Sequence, residues 1–264
     1  MTILLTGATG FIGKAVRKRL DNHAVRLTSR REQSGSADEF FVKAMSSTED
    51  FSDCLDNIDV VIHMAARVHQ MNDKSEDPLS EFMEINCFGT LNLARQAVKA
   101  GVKRFIFLSS TKVNGEKTAP GIPFRFDDIP QTTDPYGASK AEAEAGLLKI
   151  AEETSLEVII IRPPLVYGPG VKANFQSLMR LSQRNLPLPL GAVNNKRSFV
   201  GLDNLVDLIN ICVDHPNAIN KIFLISDDSD ISTSALLTLM ADAFGFKSRL
   251  LDVSPRLLKL AGRM

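Results

Sequence analysis

The sequence lacks several features that mark particular classes of protein. Its 264 residues include 31 basic and 31 acidic side chains, so the formal net charge is zero. A chain without excess positive charge has no overall field that recruits nucleic acid or an anionic membrane surface. No apolar run reaches the roughly 18 residues that a membrane span requires. We therefore expect neither nucleic acid nor a membrane as a partner.

Cysteine is also scarce. Cys54, Cys87 and Cys212 lie far apart and form no CxxC or Cys/His spacing. This excludes the usual zinc and disulfide patterns and predicts reduced thiols in the core, with no metal site. The first apolar run begins at residue 2, which leaves no room for a signal peptide. We expect a soluble, cytoplasmic protein.

Short apolar runs alternate with helical patterns along most of the chain, which predicts βαβ units around a parallel sheet. The runs are TILLT, AVRLTS, FFVKA, DVVIHM, RFIFLS, EVIIIR and, near residue 222, KIFLIS. Proline and glycine become frequent from Pro163 onward, which indicates a change of domain. We predict an α/β fold with a Rossmann-type doubly wound sheet over residues 1–165, to which 199–226 return. The remainder of 166–264 is expected to form a small C-terminal substrate-binding lobe.

The stretch TGATGFIG follows the first predicted strand and opens a helix. Backbone amides at a helix N-terminus favour an anion, and glycines let a pyrophosphate approach them. The pattern predicts a dinucleotide site, the alternative being a tight turn without a ligand. The expected contacts are Gly7, Thr9, Gly10, Phe11, Ile12 and Gly13.

Two arginines, Arg30 and Arg31, follow the second predicted strand, where an NAD site usually has an acid for the ribose hydroxyls. Guanidinium groups suit a 2′-phosphate, so the pattern favours NADP(H) over NAD(H). The alternative is a solvated surface pair.

Only two tyrosines occur, and Tyr136 stands four residues before Lys140 on a predicted helix. The two side chains share a helix face, so a Lys140 ammonium is expected to lower the pKa of the phenol and make it a usable acid or base. Ser110 and Thr111 follow a strand at the sheet edge where such folds bind ligands, although Ser110 could simply cap a turn. Asn86 lies on a buried helical stripe, where it either ties the helix to a loop or supports Lys140.

Six motifs occur together in the order found in extended short-chain dehydrogenase/reductases of the NAD-dependent epimerase/dehydratase family, which this chain resembles over essentially its whole length. They are TGATGFIG, HMAA, Asn86 with CFGT, LSSTKVNG, YGASK and IRPPLVYGPG. The resemblance implies that Ser110, Tyr136 and Lys140 are catalytic, with Asn86 in support. It also places Ala65, Ala66, Tyr136, Lys140 and Pro163 beside the cofactor.

Within that family the chain is similar to bacterial UDP-sugar 4-epimerases and 4-keto reductases, which implies a UDP-hexose or UDP-hexosamine substrate. The resemblance assigns Asn174 to the diphosphate, Leu188 and Leu190 to the uracil through backbone groups, and Arg197 to a phosphate, with Ser110 and Thr111 at the sugar. A helix cap for Asn174 and a surface salt bridge for Arg197 are the alternatives. It also implies a homodimer formed by segments 82–99 and 135–153.

Departures from the family pattern refine the expected reaction. Thr111 and Lys112 stand where dehydrating relatives carry Asp-Glu, so dehydration is not expected. Ala44 stands where relatives often have an aspartate for adenine, which leaves the adenine contacts open. The chain is short at its C-terminus compared with relatives, as a truncated product would be, which keeps a non-catalytic dinucleotide sensor as an alternative. The arginine pair and the missing Asp-Glu pair favour a 4-keto reductase, with a UDP-hexose 4-epimerase as the other alternative.

Overall fold

The computed structural model describes residues 1–33, 40–68 and 77–254, apart from the side chains of 173 and 174. The chain divides into two compact units. The first comprises Met1–Pro164 with Leu202–Ile225, and the second comprises Leu165–Gly201 with Ser226–Met264. The segment 199–226, which the sequence placed with the sheet, is therefore split, because residues 199–201 pair within the second unit.

Nine strands occur in the described residues. They are β1 (Thr2–Thr6), β2 (Ala24–Ser29), β3 (Phe40–Val42), β4 (Val60–His63), β5 (Arg104–Leu108), β6 (Glu157–Arg162), β7 (Leu165–Tyr167), β8 (Phe199–Gly201) and β9 (Ile222–Leu224). Seven of them form one parallel sheet in the order β3-β2-β1-β4-β5-β6-β9. The strand order reverses between β1 and β4, which places a crevice at the carboxyl ends of these two strands. The prediction of a doubly wound Rossmann-type sheet is confirmed.

Eight α-helices accompany these strands in the described residues. They are α1 (Phe11–Arg19), α2 (Ser52–Leu55), α3 (Pro78–Phe82), α4 (Gly89–Lys99), α5 (Pro135–Glu153), α6 (Ala173–Gln183), α7 (Leu202–Cys212) and α8 (Thr233–Ala243). A π-helical segment, Met83–Phe88, joins α3 to α4 without a break. Short 3-10 turns cover Thr111–Val113 and Pro216–Ala218.

The sheet owes its stability to strands that are apolar on both faces. All four residues of β4 are buried, and β6 is buried from Val158 to Arg162. Helices α4 and α5 cover one face, where Phe105, Phe107, Leu147 and Leu93 are fully buried. Burying a side chain of this size stabilises the fold by roughly 1.5–3 kcal/mol. Cys54, Cys87 and Cys212 are free thiols, also buried.

The second unit has its own small core. Strands β7 and β8 pair in parallel, and α6 packs against α8. Phe199 is in contact with the ring of Phe175, at a centroid distance of 6.3 Å, and Phe175 stacks on Tyr167 at 5.7 Å. The Tyr167 hydroxyl donates to Asp227 at 2.8 Å, and this hydrogen bond raises the pKa of Tyr167.

The described residues lack two kinds of feature, a membrane-spanning helix and a cluster of metal-ligating side chains. None of the helices there combines the length and the apolar character that crossing a membrane demands. The same residues include no group of three or more His, Cys, Asp or Glu side chains that could hold a metal ion.

Candidate active site

The glycine loop joins β1 to α1 at the crevice in the sheet. Gly7 has a positive φ of 73°, and a Cβ there would lie 2.7 Å from the backbone nitrogen of Ala65. A Cβ on Gly13 would lie only 2.1 Å from the Gly7 carbonyl oxygen. Both positions therefore require glycine, because any side chain would push the loop away from β4 or from the first turn of α1.

The first turn of α1 suits an anionic ligand. Its N-cap is Gly10, which has no side chain to satisfy the free amides, and the turn carries no acidic residue. Thr9 and Gly10 are exposed, whereas Phe11 and Ile12 are partly buried. Free backbone N–H groups and the helix dipole favour a phosphate at this point. The residues present therefore fit a dinucleotide pyrophosphate.

A buried chain of hydrogen bonds runs from the end of β1 to the π-helical segment Met83–Phe88. Thr6 Oγ1 accepts from the backbone N–H groups of Met64 and Ala65, at 3.2 and 3.1 Å, and contacts His63 Nδ1 at 2.7 Å. His63 Nε2 contacts Thr90 Oγ1 at 2.8 Å, and the Thr90 hydroxyl donates to the carbonyl of Asn86.

These contacts define the state of His63. Since the Thr90 proton goes to a carbonyl, Thr90 must accept from His63 Nε2–H, which leaves Nδ1 to accept from Thr6. Burial, with a smaller effect of the Lys140 charge, lowers the pKa of His63 to about 3. The imidazole is therefore neutral at physiological pH.

Asn86 ties the loop at Arg67 to α5. Its Oδ1 accepts from the Arg67 backbone N–H at 2.8 Å, and its Nδ2 donates to the Arg67 carbonyl and to Ser139 Oγ, each at 3.0 Å. Ser139 in turn donates to the carbonyl of Tyr136 at 2.8 Å. The sequence left two roles open for Asn86, a link between its helix and a loop or a support for Lys140, and these contacts are those of the link. They reach Tyr136 through the backbone, and they include no contact with Lys140.

Tyr136 is placed by the start of α5. Asp134 caps the helix by accepting from the Gly137 N–H at 2.8 Å, and Pro135 occupies the first helical position. Ser110 lies beside the Tyr136 phenol, where its interaction acts to lower the phenol pKa. Ser110 Oγ also accepts from the Lys112 N–H at 3.2 Å, so it caps a turn as well.

The pKa of Tyr136 is raised in the structure, whereas the sequence predicted that Lys140 lowers it. Burial raises the pKa of Tyr136 to about 12, the interaction with Ser110 opposes this, and the nearby charge of Asp134 adds to it. Lys140 donates to the Leu108 carbonyl at 2.9 Å and lies 4.3 Å from the Phe107 ring centroid. Burial lowers the pKa of Lys140 to about 7, so its positive charge is only partly present at neutral pH. The prediction of an acidified phenol is therefore wrong for the protein without ligands.

The remaining residues expected at the cofactor lie near these groups or at the end of β2. Ala65 donates its N–H to Thr6, Ala66 follows it, and both are partly buried. Pro163 is buried, and its carbonyl accepts from the Thr111 N–H at 3.1 Å. Arg30 and Arg31 are exposed, which is compatible with either a phosphate contact or a solvated pair.

The residues expected at the nucleotide lie in the second unit. Leu188 donates its N–H to Arg249 and accepts from Leu251, while Leu190 donates its N–H to Leu188 and accepts from Ser234. Each N–H is therefore already used within the chain. Each carbonyl also accepts two hydrogen bonds, that of Leu188 from the Leu190 and Leu251 N–H groups and that of Leu190 from Ser234 and the Val193 N–H. The backbone groups expected to contact uracil are thus all engaged within the chain.

Arg197 and Asn174 are also in this unit. Arg197 is exposed, and its guanidinium lies 5.9 Å from the Phe199 ring centroid. The side chain of Asn174 lies outside the described part of the structure. The roles assigned to both residues stay predictions.

Sequence reasoning missed several buried polar residues that organise this site: Thr6, Thr90, Ser109, Glu144 and Arg162. One signal was available for Glu144, since it follows Lys140 by four residues and so shares its helix face. The others are separated along the chain by tens of residues and meet only in the folded sheet.

Comparisons with known proteins agree with this architecture. The profile of the NAD dependent epimerase/dehydratase family matches residues 3–226. A UDP-glucose 4-epimerase of Vibrio cholerae is 47% identical over 268 residues, which cover 100% of this chain and 82% of that protein. A UDP-glucose 4-epimerase of Mycolicibacterium smegmatis is 30% identical, covering 93% of this chain and 83% of that protein. The solved structure of MoeE5 in complex with UDP-glucose and NAD has a TM-score of 0.79 and 26% identity, covering 95% of this chain and 84% of that chain.

The fold and the glycine loop define a Rossmann-type protein of the short-chain dehydrogenase/reductase class. The profile match and the identity to whole-length relatives then show that the chain belongs to the NAD dependent epimerase/dehydratase family. The family and enzyme class predicted from the sequence motifs are confirmed.

Proposed function

We propose that this protein is a UDP-hexose 4-epimerase that interconverts UDP-glucose and UDP-galactose. The observation that carries the proposal is the 47% identity, over the whole chain, to a UDP-glucose 4-epimerase. This reverses the order expected from the sequence, where a 4-keto reductase came first. The reductase was favoured by the arginine pair and by the absence of the Asp-Glu pair. An epimerase does not dehydrate its substrate either, so the absence of Asp-Glu is equally consistent with an epimerase.

The reaction requires that a proton leave the C4 hydroxyl as the C4–H bond breaks and return when that bond re-forms on the other face. An oxidised nicotinamide, when bound, supplies the hydride acceptor and donor. Tyr136 takes this proton as the phenolate, becoming the phenol, and gives it back when the C4–H bond re-forms; Ser110, which lies beside it, holds the C4 oxygen. With ligands bound, a protonated Lys140 would favour the phenolate that accepts the proton, an effect that the protein without ligands does not show.

We propose NAD as the cofactor, held by the glycine loop and the first turn of α1. An epimerase returns its hydride to the substrate, so it gains nothing from the reduced NADP pool, and the solved relative MoeE5 is in complex with NAD. Arg30 and Arg31 are then solvated surface residues. Mass spectrometry of the small molecules released by denaturing the purified protein identifies the cofactor, and bound NADP(H) would restore the 2′-phosphate role of the arginines.

The remaining expectations complete the proposal. Arg197 and Asn174 of the second unit bind the diphosphate, and the chain forms a homodimer through segments 82–99 and 135–153. Phe88, in the first of these segments, is 47% exposed and offers apolar surface that a second copy would bury. Sedimentation of the wild type and of Phe88→Glu measures the oligomeric state, and an unchanged dimer in the variant would exclude this surface.

The test of the reaction uses two substrates. UDP-glucose is incubated with the protein and NAD without a reductant, and UDP-galactose formation is followed by chromatography, with Tyr136→Phe as the inactive control. A UDP-4-keto-6-deoxyhexosamine is then supplied with NADPH, and the loss of absorbance is followed. Interconversion without net cofactor use supports the epimerase, whereas stoichiometric NADPH oxidation without interconversion would reinstate the reductase.

A further inference from the structure

A buried charge pair lies beside the reacting groups, and the proposed mechanism does not use it. Glu144 and Arg162 are each 3% exposed. Arg162 Nε lies 3.0 and 3.1 Å from the two carboxylate oxygens of Glu144, and its Nη2 lies 2.5 Å from Oε2. Because taking two charges out of water costs several kcal/mol per ion, a pair in this position adds little to stability that apolar residues could not supply.

Arg162 is itself held from a second direction. Its Nη1 donates to Asn114 Oδ1 at 3.1 Å and approaches the Phe126 carbonyl at 3.4 Å. Asn114 Nδ2 donates to the Arg125 carbonyl at 2.7 Å. The guanidinium is therefore held between Glu144 of α5 and the loop that follows Asn114. Its Nε and Nη2 groups are thereby kept in position to donate to Glu144.

The Glu144 carboxylate also contacts Ser109, the residue before Ser110. Ser109 Oγ donates to Glu144 Oε1, and the Ser109 N–H donates to the Ile161 carbonyl at 2.7 Å. Ser109 is thus held by α5 through its hydroxyl and by β6 through its backbone. Because Ser110 follows Ser109 directly, fixing Ser109 also restricts where the backbone of Ser110 can lie.

Three successive turns of α5 meet three consecutive residues at the end of β5. Residues 136, 140 and 144 share one helix face because they are four residues apart. Their contacts are Tyr136 with Ser110, Lys140 with the Leu108 carbonyl, and Glu144 with Ser109. The first two involve the proposed reacting groups. The third uses a buried carboxylate that touches none of the reacting atoms.

We propose that Glu144, fixed by Arg162, is a positioning residue that holds Ser109 and thereby keeps the Ser110 hydroxyl in register with the Tyr136 phenol. This rests on the proposed function, since Ser110 and Tyr136 are its reacting groups. A displacement of about 1 Å at a reacting group can cost about a hundredfold in rate. The contribution of Glu144 is therefore expected in kcat rather than in substrate binding.

Ser109→Ala is the direct test, because it breaks the link to Ser110 while leaving the Glu144–Arg162 pair intact. We expect kcat for UDP-sugar interconversion to fall by about ten- to a hundredfold with KM within about twofold. Ser109→Thr, which keeps a hydroxyl, should recover most of the rate. Thr154→Ala is the matched control, since the Thr154 hydroxyl donates to the Ile150 carbonyl at the far end of α5. It should lower the unfolding midpoint and leave kcat unchanged.

A second readout needs no substrate. The chain has two tyrosines, so labelling with [13Cζ]tyrosine gives two signals, and Tyr167→Phe assigns that of Tyr136. The Cζ shift reports the hydrogen bonding of the phenol, so Ser109→Ala and Glu144→Gln should move the Tyr136 signal and Thr154→Ala should not. An unmoved signal in Ser109→Ala, or equal kcat losses in Ser109→Ala and Thr154→Ala, would overturn the inference. If the wild-type protein did not interconvert UDP-sugars, the proposed function would be wrong. The Tyr136 Cζ signal would still test whether Glu144 and Ser109 position the phenol.

Discussion

His63 gives the sharpest prediction for the dependence of stability on pH. Its pKa is lowered from 6.5 to about 3 by burial and, to a smaller extent, by Lys140. A group whose pKa is lower in the folded state stabilises the fold above its unfolded pKa and loses that contribution as the pH falls. Between pH 7 and pH 5 the unfolded chain takes up a proton at this residue and the folded protein does not. The resulting loss in the free energy of unfolding is about 2 kcal/mol.

The hydrogen bonds explain why the folded protein resists protonation. A proton on Nδ1 would have to be donated to Thr6 Oγ1, which already accepts from two backbone N–H groups. His63→Gln keeps an amide that can donate to Thr90 and does not titrate. Because it shares every other titrating group with the wild type, the difference between the two proteins isolates His63.

The assay is urea unfolding at pH 7 and pH 5, followed by tyrosine fluorescence in a Tyr167→Phe background. The chain has no tryptophan, so Tyr136 is then the main fluorophore and reports on the unit that contains the sheet. We expect the wild type to lose about 2 kcal/mol more than His63→Gln between the two pH values. Equal losses in both proteins would refute the neutral, buried imidazole.

Three further predictions concern the site. Tyr136→Phe removes the transferable proton, so turnover should fall by about a hundred- to ten-thousandfold while NAD affinity stays within a few-fold; steady-state rates and cofactor titration measure this, and normal turnover would refute the catalytic assignment. Gly13→Ala places a Cβ 2.1 Å from the Gly7 carbonyl oxygen, so we expect about 1–3 kcal/mol of destabilisation in urea and weaker NAD binding by calorimetry, and wild-type values would contradict the need for glycine. Arg197→Ala should raise KM for the UDP-sugar and leave NAD affinity and the unfolding midpoint unchanged; an unaltered KM would reject the diphosphate role.

Much of the fold could be predicted from local sequence. Unbroken apolar runs such as Val158–Ile161 indicate strands covered on both faces, and the strands found in the sheet begin and end within two residues of the predicted runs. The loop TGATGFIG could be interpreted because glycine requirements are local. The short strands β7 and β8 were both missed, since three residues carry too little periodicity to predict a strand or its pairing.

The pKa of Tyr136 could not be predicted in the same way. The sequence gives the spacing of Tyr136 and Lys140 on one helix face, which suggested an attraction between ammonium and phenol. The folded protein directs the Lys140 amine to the Leu108 carbonyl and the Phe107 ring. Desolvation then dominates both groups, and its size depends on residues of other elements that pack around them.

The sequence alone determined the elements and the residue types available for chemistry, because strand burial, glycine conformation and i, i+4 spacing are properties of neighbouring residues. Only the tertiary structure decided which polar groups meet. His63 with Thr90, Asn86 with Arg67, and Ser109 with Glu144 are 27, 19 and 35 residues apart along the chain. Their contacts arise where parallel strands end at a common edge and α5 lies across it, so the ionisation and register of the candidate site follow from packing.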